Sequence, residues 1–281
     1  MKRLSRQSGM TLIELMLASV LSVIISYFIM NIMITSARTA ATSEGQAQAQ
    51  ETGRLVMAWL DEQLSVAGYN SNYQSSESQS PMAALCQAGA PLPPANNAHC
   101  TFNADDHGSG GDRIAIRRST GARDGVTPSD RDIQTCAGEA LPAAIVDNQE
   151  FVIDVYWVQP NNGNASTTDD YELRCATYEE NGTRIADSQA IANGVESLHI
   201  LVGIADADGN PQRFVAPANV TNWERVVGIR VAILAREFGD STLTPDARAY
   251  GLLDADPITF QDGAARYVQN GTVWFPNTKK L

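Results

Sequence analysis

The chain has 281 residues, of which 43% are hydrophobic and 19% charged, and its 20 Lys and Arg against 32 Asp and Glu give a formal charge of −12 at pH 7. This composition excludes a chain that is disordered throughout. The acidic balance also argues against non-specific binding of nucleic acid by the whole surface, because contact with phosphates depends on Lys and Arg.

The first 34 residues are far more apolar than the rest. The cationic residues Lys2, Arg3 and Arg6 precede an apolar run from Met10 to Ile34. About 20 apolar residues are enough for a helix to cross a bilayer, and cationic residues before such a run stay in the cytoplasm. We therefore predict a transmembrane segment to about residue 34, followed by a periplasmic or extracellular remainder. A secretory signal peptide cleaved near 35–37 is the alternative, but its apolar region would exceed the usual length of about 7–15 residues.

Glu14 is the only charged residue between Met10 and Ile34. A carboxylate inside a membrane costs about 2.5–3.5 kcal/mol on insertion scales unless it meets a positive partner, and the next cationic residue is Arg38. Cleavage after Gly9 would release a free α-amino group at Met10. We expect Glu14 to pair with that amine on a neighbouring subunit.

The segment Gly9-Met10-Thr11-Leu12-Ile13-Glu14-Leu15 resembles the class III signal of type IV prepilins and type II secretion pseudopilins. In that family a prepilin peptidase cleaves after the Gly and methylates the new N-terminal residue. The resemblance therefore implies cleavage between Gly9 and Met10 and N-methylation of Met10. Most members have Phe at this position, so Met10 departs from the family pattern.

Residues 35–67 contain no Pro and favour continuation of the helix. Near the end of this helix the apolar residues recur at helical spacing, namely Val56, Trp59, Leu60, Leu64 and Ala67. Gly68 follows them as a typical stop signal. We predict one helix over about 10–67 whose last turns pack on a soluble domain. Gly45 and Gly53 each weaken a helix by up to about 1 kcal/mol relative to Ala, so we expect bending or melting near them.

The remainder is interpreted as a β-rich head. Residues 69–111 form a loop rich in Ser, Asn, Pro and Gly, and strands are predicted at Arg113–Arg118, Phe151–Val158, Glu172–Tyr178, Val195–Ile204, Arg225–Leu234 and Tyr267–Phe275. The predicted fold is α+β and pilin-like, with the long N-terminal helix packed on an antiparallel β-sheet. The predicted divisions are a leader at 1–9, the helix at 10–68 and the head at 69–281.

Four cysteines lie in the predicted exported part: Cys86, Cys100, Cys136 and Cys175. An even number in an exported domain predicts two disulfides, for which three connectivities exist. We favour Cys86–Cys100, which closes the Pro-rich loop, and Cys136–Cys175, which joins segments on either side of the strand at 151–158.

No pattern predicts a catalytic, cofactor or metal site, so we do not expect an enzyme. His199 lies in an apolar strand, where a structural role is the ordinary one, and the spacing of His99, His107 and Cys100 fits no standard zinc site. The segment from Asp206 to Asn210 begins like a calcium loop. However, Pro211 and Pro217 stand where Gly and Glu are required, so we predict a hairpin turn.

The only concentration of basic residues comprises Arg113, Arg117, Arg118 and Arg123. We interpret them as solvated strand residues balanced by Asp112 and Asp124. A patch that contacts DNA directly is the alternative.

Several segments together resemble PilW-type minor pilins of type IV pili, namely 51–69, 111–117, 191–198, 206–210 and 223–231. The resemblance implies a subunit that primes pilus assembly near the tip and supports twitching motility, adhesion or DNA uptake. Its partners would be other minor pilins, the major pilin, the prepilin peptidase, the inner-membrane assembly platform and the membrane itself. The alternatives are a J-like minor pseudopilin of type II secretion and, from another class, a membrane-anchored periplasmic enzyme.

Overall fold

A computed structural model describes residues 10–71, 80–104, 110–121, 133–161, 171–238 and 247–278. The chain divides into two compact units, residues 1–44 and 45–281. The long helix α1 (Leu12–Leu64) begins in the first unit and ends in the second.

The described part of the first unit consists almost entirely of α1. Its large apolar side chains between Met10 and Ile34 are exposed. Hydroxyl and amide side chains along this helix bond to its own backbone, as when Ser19 donates to the carbonyl of Met16 and Asn31 to that of Tyr27. By length and composition α1 can cross a membrane.

The second unit contains the end of α1 and short, mostly extended elements. In chain order they are β1 (Ile114–Ser119), α2 (Ala143–Asp147), β2 (Phe151–Pro160), β3 (Tyr171–Glu179), β4 (Gln189–Asn193), β5 (Val195–Ala205), β6 (Pro211–Val215), β7 (Val226–Arg236), β8 (Arg248–Tyr250), β9 (Ile258–Phe260) and β10 (Arg266–Trp274). Two single-turn 3₁₀ helices, Pro217–Asn219 and Trp223–Arg225, lie between β6 and β7.

The strands form two four-stranded antiparallel sheets and a small hairpin. Sheet 1 has the order β1-β2-β3-β4, sheet 2 has the order β10-β7-β5-β6, and β8 pairs with β9. The predicted α+β class and antiparallel pairing are confirmed, but the expectation of one sheet is wrong. The unpredicted strands β4, β6, β8 and β9 are three to five residues long and largely unburied, so they lack the apolar alternation that marks a strand.

One hydrophobic core joins the last turns of α1 to both sheets. Leu60 and Leu64 of α1 are fully buried, and the same cluster contains Tyr156 of sheet 1 and Ile229 of sheet 2. The helical spacing read from the sequence therefore marks the face of α1 that packs against the head.

Gly45 and Gly53 lie on this buried face, and α1 runs through both without interruption. A Cβ at residue 45 would overlap the carboxylate of Glu237, and one at residue 53 would lie 3.0 Å from Cβ of Gln269. The helix therefore does not melt at either glycine, and Gly53 allows it to approach sheet 2 closely.

The C-terminal end of α1 is held by the end of the chain. The Asn277 side chain donates hydrogen bonds to the carbonyls of Ser65 and Ala67. Gly68 follows with φ +75°, a conformation that favours glycine. These contacts satisfy carbonyl groups that the helix leaves without an internal partner.

Candidate assembly site

The most unusual chemical feature of the chain is the carboxylate of Glu14 at the start of an apolar helix. Glu14 Oε2 accepts hydrogen bonds from the backbone N–H and the hydroxyl of Thr11, at 2.8 and 2.9 Å. Both groups belong to the same helix end, and the first described residue, Met10, is 71% exposed. Gly9, the predicted cleavage position, lies outside the described residues.

The described residues of the first unit provide no apolar cover for the helix around Glu14. Leu12, Ile13, Leu15, Met16 and Leu17 are all more than 60% exposed. Such a surface is stable in lipid or against other apolar helices but not in water. The described helix contains no cation before Arg38, so a cation that balances the charge of Glu14 in those surroundings would have to come from outside this helix.

The head carries two disulfides, Cys86–Cys100 and Cys136–Cys175. These are the two pairs favoured from the sequence. The first closes the loop that lies over sheet 1, and the second links the segment before α2 to β3. No free cysteine is present.

The interpretation of the arginine cluster as solvated is wrong for two of its members. Arg113 and Arg118 are each only 3% exposed. Arg118 donates to the carboxylate of Asp154 at 2.7 Å, and Arg113 donates to the carbonyl of Ala98 at 2.9 Å. Burial lowers the pKa of Arg113 to about 10.

Arg117 is more exposed than Arg113 and Arg118, and it forms an ion pair with Glu180. Arg123 and Asp124 lie outside the described residues. Asp112 accepts hydrogen bonds from the backbone N–H groups of Ala104 and Ile200, at 2.6 and 2.8 Å. The buried positions of Arg113 and Arg118 remove them from any surface that DNA could touch.

The histidines that were considered as metal ligands are packed in the head wherever the structure describes them. His199 is 1% exposed, and its Nδ1 lies 3.6 Å from Asp112 Oδ2. Burial lowers the pKa of His99, and His107 lies outside the described residues. Within the described ranges no group of three or more His, Cys, Asp or Glu side chains is placed to hold a metal ion.

The hairpin predicted at Asp206–Asn210 is confirmed, because β5 and β6 pair on either side of it. Asp206 Oδ1 accepts from the backbone N–H groups of Asp208 and Asn210, both at 2.9 Å. The bond from Asn210 contributes most to lowering the pKa of Asp206. The carboxylate thus stabilises the turn itself.

A buried ionic network in the head was not recognised in the sequence. Arg266 donates two hydrogen bonds to Glu196, at 2.5 and 2.9 Å, and two to Asp262, at 2.5 and 2.8 Å. The ring of Phe260 lies 3.6 Å from the Arg266 guanidinium carbon. Strand alternation alone does not reveal such a network, since Glu196 and Arg266 are 70 residues apart in sequence.

Part of the head is similar to a known protein family. Residues 155–277 match the family described as Type IV Pilus-assembly protein W. Among solved structures, a type IV-like pilin from Thermus thermophilus matches with a TM-score of 0.44 and 13% identity, covering 82% of this chain and 97% of that one. No curated protein matches the sequence.

Proposed function

We propose, from the premise that this chain is a PilW-like pilus-assembly protein, that it is a minor subunit of a type IV pilus that primes assembly at or near the tip. The observation that carries the proposal is Glu14. It is an exposed carboxylate in an exposed apolar helix, close to the position where cleavage after Gly9 would create a new amine.

In a filament the apolar helices would pack together, and each carboxylate would then leave water. The methylated amine of Met10 on the neighbouring subunit would neutralise Glu14. A carboxylate without such a partner costs several kcal/mol in an apolar medium. Correctly paired subunits would therefore be favoured over any other arrangement.

The size of the head supports a position at the end of the filament. A compact body of roughly 210 residues has a radius of gyration of about 17 Å. Many such heads would crowd a shaft, whereas a subunit at the tip meets fewer neighbours. The pilus would serve twitching motility, adhesion or DNA uptake, with other minor pilins, the major pilin and the inner-membrane platform as partners.

The test is replacement of the Glu14 carboxylate in the full chain. We expect Glu14→Leu and Glu14→Ala to be processed and inserted into the membrane normally but to reduce surface pili at least tenfold in shearing assays and electron microscopy. The matched control is Ser19→Ala, which removes a polar group from the same apolar segment and should leave piliation unchanged.

Two outcomes would contradict the proposal. Normal piliation with the Glu14→Leu protein present in sheared filaments would show that this charge does not recruit the subunit. Loss of protein secretion with normal pili, in a strain that lacks the chain, would instead identify a minor pseudopilin of type II secretion.

A further inference from the structure

The outer face of sheet 2 is covered at one end and open at the other. Ile229, Val231 and Ile233 of β7 point into the main core, so the alternate residues of β7 line the opposite, outer face. Toward the end of β7, Ala232 and Leu234 are covered by Leu252 and the β8–β9 hairpin. Within the described residues, this apolar cluster does not extend over Gly228 and Arg230 at the start of β7.

A row of four paired residues crosses this open end. Trp274 of β10 pairs with Gly228 of β7, Gly228 pairs with Gly203 of β5, and Gly203 pairs with Phe214 of β6. A Cβ on Gly228 would lie 2.8 Å from a Trp274 ring carbon, and one on Gly203 would lie 3.1 Å from a Phe214 ring carbon. The two central glycines thus allow the aromatic rings of the outer strands to lie against the sheet.

The next row supplies a cation on the same face. Arg230 pairs with Thr272 on one side and Leu201 on the other. Its guanidinium carbon lies 4.6 Å from the centre of the Phe214 ring, and Arg230 is exposed. Within the described part of the chain no ion pair joins Arg230 to a carboxylate. We name the surface formed by Leu201, Phe214, Arg230, Thr272 and Trp274 the Trp274 patch.

We propose that the Trp274 patch is a contact surface for the head of a different pilus subunit, which places an apolar side chain on Trp274 and a carboxylate on Arg230. The inference rests on the proposed pilus function and deepens it by assigning the contact surface and the chemistry of the partner. Trp and Arg are the residues most often found where a few side chains dominate the affinity of a protein interface. Trp274 is 48% exposed, so contact with an apolar group would remove a large aromatic surface from water.

Charge complementarity selects the partner group. Arg230 is an exposed cation on a chain of net charge −12, and stacking on Phe214 holds its guanidinium in place. A guanidinium held in this way loses little conformational freedom when it binds a carboxylate through two parallel hydrogen bonds.

The geometry favours a protein partner over a glycan. The Phe214 and Trp274 rings are inclined by 47° to each other, so they do not offer one flat platform. Arg230 already stacks on the Phe214 ring. The patch also lies at the end of the head where α1 stops, since Asn277, three residues after Trp274, bonds to Ser65.

The test is site-specific photo-crosslinking of the full chain in piliated cells. Trp274 is replaced by benzoylphenylalanine, and crosslinked proteins are identified by mass spectrometry. We expect crosslinks to another pilus subunit at a yield at least fivefold above that from benzoylphenylalanine at Leu92, which is 68% exposed on the disulfide loop.

A matched charge reversal tests the role of Arg230. In the crosslinking strain, Arg230→Glu should lower the yield from position 274 at least fivefold. Arg213→Glu is the control, since Arg213 is exposed on β6 and, by strand alternation, lies on the face opposite to its neighbour Phe214. Resistance to trypsin verifies that each variant is folded.

Several outcomes would overturn the proposal. One is that position 274 crosslinks only to lipid or to copies of the same chain. Another is that Arg213→Glu and Arg230→Glu lower the crosslinking yield equally. A third is that oligosaccharides quench Trp274 fluorescence while no subunit crosslink forms. If position 274 yields no subunit crosslink while the chain is recovered in sheared pili, this proposal fails and the pilus function stands. If the chain is absent from pili and Glu14→Leu has no effect, both fail.

Discussion

At the scale of single residues, the ion pair between Arg118 and Asp154 is deeply buried. The two side chains are 4% and 3% exposed. Asp154 also accepts a hydrogen bond from Thr177 at 2.6 Å. We expect Asp154→Ala to lower the free energy of unfolding by about 3–5 kcal/mol, because it removes the buried carboxylate bonded to the Arg118 guanidinium.

Urea unfolding of the full chain in detergent measures this change. The matched control is Glu180→Ala, which removes the carboxylate of the exposed pair with Arg117 on the same strand, and whose effect should stay below about 1 kcal/mol. Equal effects of the two substitutions would show that burial of the Arg118 pair does not matter.

Asp262 makes the ionic network of the head sensitive to pH. Hydrogen bonds from Arg266 lower the pKa of Asp262 below its ordinary value of 3.8, against the opposing effect of partial burial. A carboxyl group with a lowered pKa in the folded state stabilises the fold above its unfolded pKa, and this contribution is lost as the pH falls through the folded pKa.

We therefore expect Asp262→Asn to be less stable than the native chain by about 1–2 kcal/mol near neutral pH. The difference should begin to shrink below about pH 3.8, where the carboxyl group of the unfolded chain becomes protonated, and should disappear as the pH falls through the lower pKa of the folded state. Unfolding curves at pH 6 and pH 2.5 measure both values. Asp187→Asn, in an exposed pair with Arg184, serves as control, and a pH-independent difference for Asp262→Asn would contradict the mechanism.

At the scale of elements, the glycines of α1 determine how closely the helix packs on sheet 2. Gly53 faces Gln269 of β10 at 3.0 Å and Ala235 of β7 at 3.7 Å from its Cβ position. We expect Gly53→Leu to destabilise the head by about 1–2 kcal/mol, since overpacking costs about 1–3 kcal/mol and the better helix propensity of Leu returns up to about 1 kcal/mol.

Thermal unfolding compares this variant with Ala58→Leu, which adds bulk on the exposed side of the same helix and should change stability by less than about 0.5 kcal/mol. A more stable Gly53→Leu protein would show that Gly53 acts only as a weak point of the helix. From the sequence alone, Gly45 and Gly53 were interpreted in that way. Helix propensity describes a residue within its own helix and gives no information on how close another element lies. The packing role of these two glycines was therefore not predictable.

At the scale of the whole molecule, the proposed cleavage after Gly9 would determine which chain can enter the pilus. We expect mass spectrometry of the membrane-bound protein to find a mature chain that begins at methylated Met10. Removal of the proposed leader would expose the amine that Glu14 is proposed to require. A Gly9→Val variant should retain the leader and stay out of pili, whereas a mature chain that begins near Arg38 would identify an ordinary signal peptide.

Much of the architecture was predictable because it depends on local patterns. The helical spacing from Val56 to Leu64 marks the buried face of α1, and long apolar strands such as β5 and β7 stand out by composition. The turn at Asp206 follows from side-chain hydrogen bonds within five residues. Such features need no knowledge of distant parts of the chain.

The sequence by itself determined the apolar N-terminal helix, the position of Glu14, the α+β class and the hairpin turn, because each depends on residues close together in the chain. Only the tertiary structure decided that the strands divide into two sheets, that Arg113 and Arg118 are buried, and that Phe214 and Trp274 meet over two glycines. Burial and cross-strand pairing join residues tens of positions apart. The physical reason is that the free energy of a charge or an aromatic ring depends on what surrounds it in space, and one-dimensional order does not specify those surroundings.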